Sequence, residues 1–163
     1  MKYAGYMPND FINGEGVCVS LWVSGCTFRC PGCHNPELWD YNYGEEVTHD
    51  LIDKLHTAIN ANGIKRNFSI LGGEPLAPGN IEFTVNVLKA IRSLEPNITI
   101  YLWTGFTIEQ LKNLEQGDFP YIKPIFESVD VIIDGRYEQD KRDITLKLRG
   151  SSNQRILYKG KDF

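Results

Sequence analysis

Three cysteines stand close together in the first quarter of the chain. Cys26, Cys30 and Cys33 follow a C-x3-C-x2-C spacing, directly after an apolar run at residues 17–23. Three thiolates on one short loop can hold three irons of a four-iron, four-sulfur cluster, whose last iron then needs another ligand. The spacing therefore predicts a cluster with one iron open to a second molecule.

Two other uses of cysteine fit the sequence less well. A structural zinc site usually takes four ligands, often as two separated C-x2-C pairs, whereas Cys18 is the only cysteine outside this loop. A disulfide scaffold is typical of small, cysteine-dense secreted chains, and here four cysteines occur in 163 residues with no recognisable signal peptide. Cys18 lies inside the apolar run, so we expect a small buried side chain there and not a ligand.

The composition bounds the class of protein. A chain of 163 residues can form one ordinary core, and we expect a single domain over residues 1–163. A formal charge of −4 without a long basic run argues against a nucleic-acid partner, and the apolar stretches are too short for a membrane helix. Because the thiols must also stay reduced, we expect a soluble, cytoplasmic protein.

Four short apolar runs rich in β-branched and aromatic residues predict buried strands. They lie at residues 17–23, 68–71, 98–103 and 129–133. Amphipathic stretches between them predict helices at residues 51–59, capped by Thr48, at residues 83–94, and after a capping box formed by Thr107 and Gln110. Strands that alternate with helices predict an α/β fold with a mainly parallel sheet.

The loops after the predicted strands carry the remaining candidate residues. In such sheets ligands bind beyond the carboxyl ends of the strands, where this chain has the cysteine loop, Gly72-Gly73-Glu74-Pro75, Thr104-Gly105 and Asp134-Gly135. We therefore expect these loops to converge on one edge. Gly73 allows close approach of the main chain to a ligand, and Gly73, Glu74 and Thr104 all lie on loops where a ligand is expected.

The cysteine loop and the Gly-Gly-Glu-Pro motif resemble those of the radical S-adenosylmethionine enzymes. The resemblance implies that the amino and carboxylate groups of S-adenosylmethionine chelate the open iron, and that the backbone of the Gly-Gly-Glu-Pro motif engages the amino group. Glu74 is then a candidate either for a cofactor contact or for orienting the loop. Gly32 stands where the superfamily often has an aromatic residue, so the main chain around Gly32 and Cys33 is expected to meet the adenine. His34 is expected to shape the cofactor pocket.

Blocks along nearly the whole chain resemble the activating proteins of anaerobic ribonucleoside-triphosphate reductases. The blocks are residues 13–16, 33–35, 72–76, 102–105, 130–137 and 149–154. The resemblance implies a shortened, open partial (βα) barrel of the radical S-adenosylmethionine type. It also implies that a reduced donor such as flavodoxin supplies an electron, and that a 5′-deoxyadenosyl radical takes hydrogen from a reductase glycine to form a glycyl radical.

Two alternative functions stay open on the sequence. One is an activase for a different glycyl radical enzyme, such as pyruvate formate-lyase, although those activases resemble longer chains. The other is a non-catalytic zinc or iron-sulfur module. The polar block at residues 149–154 is expected either to dock the reductase or to form a capped tail.

Overall fold

The computed structural model describes residues 1–117 and 119–163. Within these residues the strands are β1 (Lys2–Asp10), β2 (Cys18–Val23), β3 (Glu45–Glu46), β4 (Asn67–Gly72), β5 (Ile100–Trp103), β6 (Val131–Asp134) and β7 (Arg155–Tyr158). The helices are α1 (Leu51–Ile59), α2 (Ile81–Leu94), α3 (Ile108–Gln116) and α4 (Ile122–Ser128). None of the described helices has the length and apolar character needed to cross a lipid bilayer.

The strands form one sheet in the order β3-β1-β2-β4-β5-β6-β7. Its centre, β2-β4-β5-β6, is parallel, and these are the strands that the sequence predicts, with ends shifted by no more than two residues. The outer strands β1, β3 and β7 pair antiparallel. The α/β class is therefore confirmed, and the antiparallel strands on both sides are an addition to the predicted parallel sheet.

Two local details differ from the sequence analysis. The predicted cap of the first helix is wrong, because α1 begins after Asp50 and the Thr48 hydroxyl donates to the Asp50 carboxylate instead. Helix α4 was not predicted, since it is short and carries Pro124 in its first turn, where proline is tolerated but hides the helical pattern. The predicted capping box of α3 is confirmed: Thr107 Oγ1 accepts from the Gln110 N–H, and Gln110 Oε1 accepts from the Thr107 N–H.

The main core lies between the helices and one face of the sheet. Alternate strand residues such as Val19 and Leu21 point to this face and pack in the same cluster as side chains of α1 to α4. The other face carries a smaller cluster that includes Cys18 and Tyr101. Trp103 Nε1 donates to the Leu148 carbonyl at 2.9 Å, so the chain that follows β6 lies over this second face.

Arg155 fastens β7 to the parallel part of the sheet. Its guanidinium donates to both carboxylate oxygens of Asp134, at 3.0 and 2.5 Å, and to both of Glu109, at 3.0 and 2.7 Å. Asp134 is buried and also accepts from the Ile108 N–H at the start of α3. The guanidinium lowers the pKa of Glu109 to about 2. Because Asp134 ends β6, this network fixes where the next loop begins.

We expect Arg155→Leu to lower the free energy of unfolding by about 2 kcal/mol, because the buried Asp134 carboxylate loses its cation. Glu109→Gln should cost less than about 1 kcal/mol, since this carboxylate is 63% exposed. Urea denaturation of the two variants and the unsubstituted chain measures both quantities. Equal losses would contradict the assignment of Asp134 as the principal partner of Arg155.

Candidate functional site

The loops at the carboxyl ends of the parallel strands meet at one edge of the sheet. The Glu74 N–H, after β4, donates to the Gly25 carbonyl, after β2, at 2.8 Å. The Gly105 N–H, after β5, donates to Glu74 Oε2 at 2.7 Å. The Gly135 N–H, after β6, donates to the Phe106 carbonyl at 3.2 Å. The predicted convergence is confirmed, and it brings the cysteine loop against the other three.

The cysteine loop is shaped by a tight turn between its last two cysteines. The Cys33 N–H donates to the Cys30 carbonyl at 3.1 Å, and Gly32 has a φ of 78°. With Pro31 before it, this is the pattern of a type II turn, in which proline fixes the second position and glycine accepts the positive φ at the third. Gly32 is therefore required by the backbone of the loop itself.

The three loop cysteines are free, half-buried thiols. Burial raises the pKa of both Cys26 and Cys30, and the other thiols of the loop raise it further. Main-chain N–H groups of Phe28 and Arg29 act in the opposite direction on Cys26, and that of Tyr137 does so on Cys30. Hydrogen bonds to the sulfurs are one of the factors that tune iron-sulfur clusters.

The donor set on the cysteine loop fits a four-iron cluster. Each cysteine of such a cluster binds a separate iron, and three free, half-buried thiols lie on this one loop. A closed structural zinc site takes four ligands, one more than these thiols supply.

Cys18 is separated from these three cysteines by the length of a strand. It starts β2 and is fully buried, which confirms the prediction of a small core residue. The cysteine loop follows the other end of β2, so five steps of about 3.3 Å place the two ends roughly 16 Å apart. Cys18 therefore cannot bind the same cluster.

Glu74 joins the loops through its buried carboxylate. Oε1 accepts from the Thr104 hydroxyl at 2.7 Å and from the Leu76 N–H at 2.9 Å, and Oε2 accepts from the Gly105 N–H. Burial raises the pKa of Glu74 to about 7, against the lowering effect of these donors. Glu74 is expected either to contact the cofactor or to orient the loop, and these contacts are the kind that the second role requires.

Gly73 is confined by the protein's own main chain. A Cβ at this position would lie 2.4 Å from the Gly25 carbonyl oxygen and 2.9 Å from that of Leu38. The buried Asn80 amide supports the same junction by donating to the carbonyls of Gly25 and Glu74, at 3.1 and 2.9 Å. The absence of a side chain at Gly73 is thus explained by packing against the cysteine loop, a contact that local sequence does not reveal.

Phe28 anchors the cysteine loop and was missed from the sequence. Its ring lies 4.8 Å from the Phe106 ring, edge to face, and the Arg136 guanidinium stacks 4.2 Å from its centroid. A Cβ on Gly105 would lie 2.5 Å from the Phe28 ring. No spacing rule marks Phe28, because its partners come from loops more than 70 residues away.

The other predicted cofactor residues lie at the same edge. Thr104 is buried, and its hydroxyl also accepts from the Phe106 N–H at 3.1 Å. His34 is exposed, with its ring centroid 6.0 Å from that of Tyr137. Gly32 and Cys33 lie in the type II turn. Contact of these residues with a cofactor stays a prediction.

Comparison with known proteins places this chain in a single-cluster class of iron-sulfur proteins. The family described as "4Fe-4S single cluster domain" matches residues 12–157. Three curated relatives are named anaerobic ribonucleoside-triphosphate reductase-activating protein. The relative from Vibrio cholerae is 36% identical over 96% of this chain and 97% of its own length. The relative from Escherichia coli K12 is 36% identical over 97% and 99%, and that of Enterobacteria phage T4 is 37% identical over 96% and 93%.

This chain belongs to the family of anaerobic ribonucleoside-triphosphate reductase-activating proteins, because it matches these relatives at more than a third identity over nearly their full length.

Glu74 generates a prediction about pH. Its pKa is raised from an ordinary 4.5 to about 7 in the fold, so its contribution to stability is full below pH 4.5 and is lost as the pH rises through about 7. We expect the unfolding free energy of the unsubstituted chain to fall, relative to Glu74→Gln, by up to about 3 kcal/mol from pH 4.5 to 8. Denaturation curves across this range test the sign. If the unsubstituted chain instead gains stability relative to Glu74→Gln as the pH rises, Glu74 is ionised in the fold at low pH and the prediction is contradicted.

Proposed function

We propose that this chain activates an anaerobic ribonucleoside-triphosphate reductase by reductive cleavage of S-adenosylmethionine at a four-iron cluster. The observation that carries the proposal is the set of three free thiols on one loop, Cys26, Cys30 and Cys33, with the fourth cysteine buried at the far end of β2, a strand roughly 16 Å long. Three protein ligands leave one iron available to the cofactor. The names of the relatives support the reductase as the partner.

The cluster and S-adenosylmethionine, when bound, would supply the redox chemistry. One electron from a donor such as reduced flavodoxin would split S-adenosylmethionine into methionine and a 5′-deoxyadenosyl radical, and that radical would take a hydrogen atom from a reductase glycine to leave 5′-deoxyadenosine and a glycyl radical.

The protein's own residues would hold the cluster and orient the cofactor. The three cysteines would hold the cluster as thiolates. The main chain around Gly32, Cys33 and Gly73, with His34 beside it, would form the cofactor pocket. Glu74 and Thr104 act on that pocket by fixing the loops after β4 and β5 relative to the cysteine loop, through the carboxylate contacts described above.

The openness of the site suits a protein substrate. The loop cysteines are only half-buried, so a loop of another protein can approach them. We propose that the sheet is the shortened, open partial barrel of the radical S-adenosylmethionine type, that residues 1–163 act as one domain, and that the protein works in the cytoplasm.

A reconstitution experiment under anaerobic conditions tests this function. The unsubstituted chain should bind about four irons and, with reductant and S-adenosylmethionine, release 5′-deoxyadenosine. With the reductase present, it should produce the electron paramagnetic resonance signal of a glycyl radical. One zinc per chain and no cofactor cleavage would support a non-catalytic module and contradict the proposal. Cleavage without a radical on the reductase would contradict the assigned partner.

The four cysteines provide matched variants for the same experiment. Cys26→Ala, Cys30→Ala and Cys33→Ala should each lose iron and 5′-deoxyadenosine release, because each removes the thiolate of one iron. Cys18→Ala should retain both and should cost on the order of 1 kcal/mol of stability or less. A folded Cys18 variant that cannot hold the cluster would make Cys18 a ligand and would remove the open iron.

A further inference from the structure

The segment at residues 135–142, here called the clamp segment, lies against the cysteine loop. Arg136 stacks on Phe28, and the Tyr137 ring lies near the His34 ring. Gln139 fills the space beside Gly32, since a Cβ built on that glycine would lie 2.1 Å from Gln139 Oε1. The contacted residues are spread along the loop: Phe28 lies between the first two cysteines, Gly32 between the last two, and His34 directly after the third.

The Gln139 side chain is held in place beside the turn at Gly32. The Tyr137 hydroxyl donates to Gln139 Oε1 at 2.7 Å, which keeps the Gln139 side chain over the turn. Solvent exposure is one of the factors that tune iron-sulfur clusters.

The clamp segment is held in turn by residues 149–154, here called the anchor segment. Asn153 Nδ2 donates to the Arg136 carbonyl at 2.7 Å, and Gln154 Nε2 donates to the Gly135 carbonyl at 3.0 Å. The fully buried Ser151 accepts from the Glu138 N–H at 3.1 Å. The polar groups of the anchor segment thus bond to successive main-chain groups of the clamp segment.

The anchor segment is itself tied into a compact loop. Gln154 Oε1 accepts from the N–H groups of Gly150 and Ser151, at 2.9 and 3.1 Å. The Arg149 guanidinium donates to the carbonyls of Lys147 and Gln154, at 3.3 and 3.2 Å. Polar residues that the sequence analysis considered for docking the reductase therefore have a structural use inside this chain.

We propose that the anchor segment is a positioning device for the cluster: through the clamp segment it fixes the shape of the cysteine loop and shields the cluster from loss. This inference rests on the proposed function, because it requires a cluster on the three cysteines. Asn153 and Gln154 are positioning residues that act through Arg136 and Gly135, and Gln139 acts directly on the turn at Gly32.

The test uses the cluster-loaded chain and three variants. Asn153→Ala removes a bond from the anchor segment to the clamp segment, and Gln139→Ala removes the side chain that covers Gly32. Asn60→Ala is the control: Asn60, after the carboxyl end of α1, also donates through Nδ2 to a main-chain carbonyl, that of His56 at 3.0 Å, as well as to Glu95 Oε1 at 2.6 Å. In a parallel α/β unit that end of the helix lies away from the carboxyl edge of the sheet.

Each loaded protein is mixed anaerobically with the ferrous chelator bathophenanthroline disulfonate, and the loss of cluster absorbance is followed. We expect Asn153→Ala and Gln139→Ala to start with the same iron content as the unsubstituted chain and to lose it about tenfold faster. The electron paramagnetic resonance spectrum of their reduced cluster should also change. Asn60→Ala should match the unsubstituted chain in both measurements.

The inference is overturned if Asn153→Ala and Gln139→Ala release iron no faster than Asn60→Ala, or if their spectra match that of the unsubstituted chain. Failure of the proposed function looks different, because the unsubstituted chain itself would then not load about four irons.

Discussion

The buried carboxylate of Glu74 is the interaction on which the candidate site depends. Burying a carboxylate is unfavourable, and this raises its pKa to about 7. The cost is offset because Thr104, Leu76 and Gly105 all donate to it. These bonds join the loops after β4 and β5, and the Glu74 main chain continues the connection to Gly25 at the start of the cysteine loop. A single side chain thereby sets the relative position of three loops.

Residues near the carboxyl end of the chain also position the cysteine loop. Arg155 fixes Asp134, from which the clamp segment leaves the sheet, and the anchor segment then bonds to the clamp segment along its length. The cysteine loop near the amino end is thus shaped by residues more than 100 positions later. Local sequence can make the turn at Gly32, but only this long-range packing can hold the turn beside Phe28 and the other thiols. The site is therefore a property of the whole sheet edge.

Features with a local physical signature were the ones that the sequence predicted well. The parallel strands are short apolar runs, the α3 capping box depends on residues three apart, and the convergence of the loops follows from strand order. Phe28, Asn80 and Gln139 could not be found in this way, because each contacts a residue that is distant in sequence: Phe106, Gly25 and Gly32, respectively. Thr48 was misplaced as a cap because Asp50, two residues later, competes for the same role. Strand β1 was missed because its pairing with β2 is irregular and its side chains are mostly partly exposed.

The central claim is that three protein thiolates leave one iron open for S-adenosylmethionine. Mössbauer spectroscopy tests it most directly, on anaerobically reconstituted protein in which the most easily exchanged iron has been replaced by ⁵⁷Fe. The account predicts that one iron per cluster exchanges and that its isomer shift changes when S-adenosylmethionine is added, as its coordination changes. A cluster whose irons exchange equally, or an exchanged iron whose spectrum is unaffected by S-adenosylmethionine, would contradict the account.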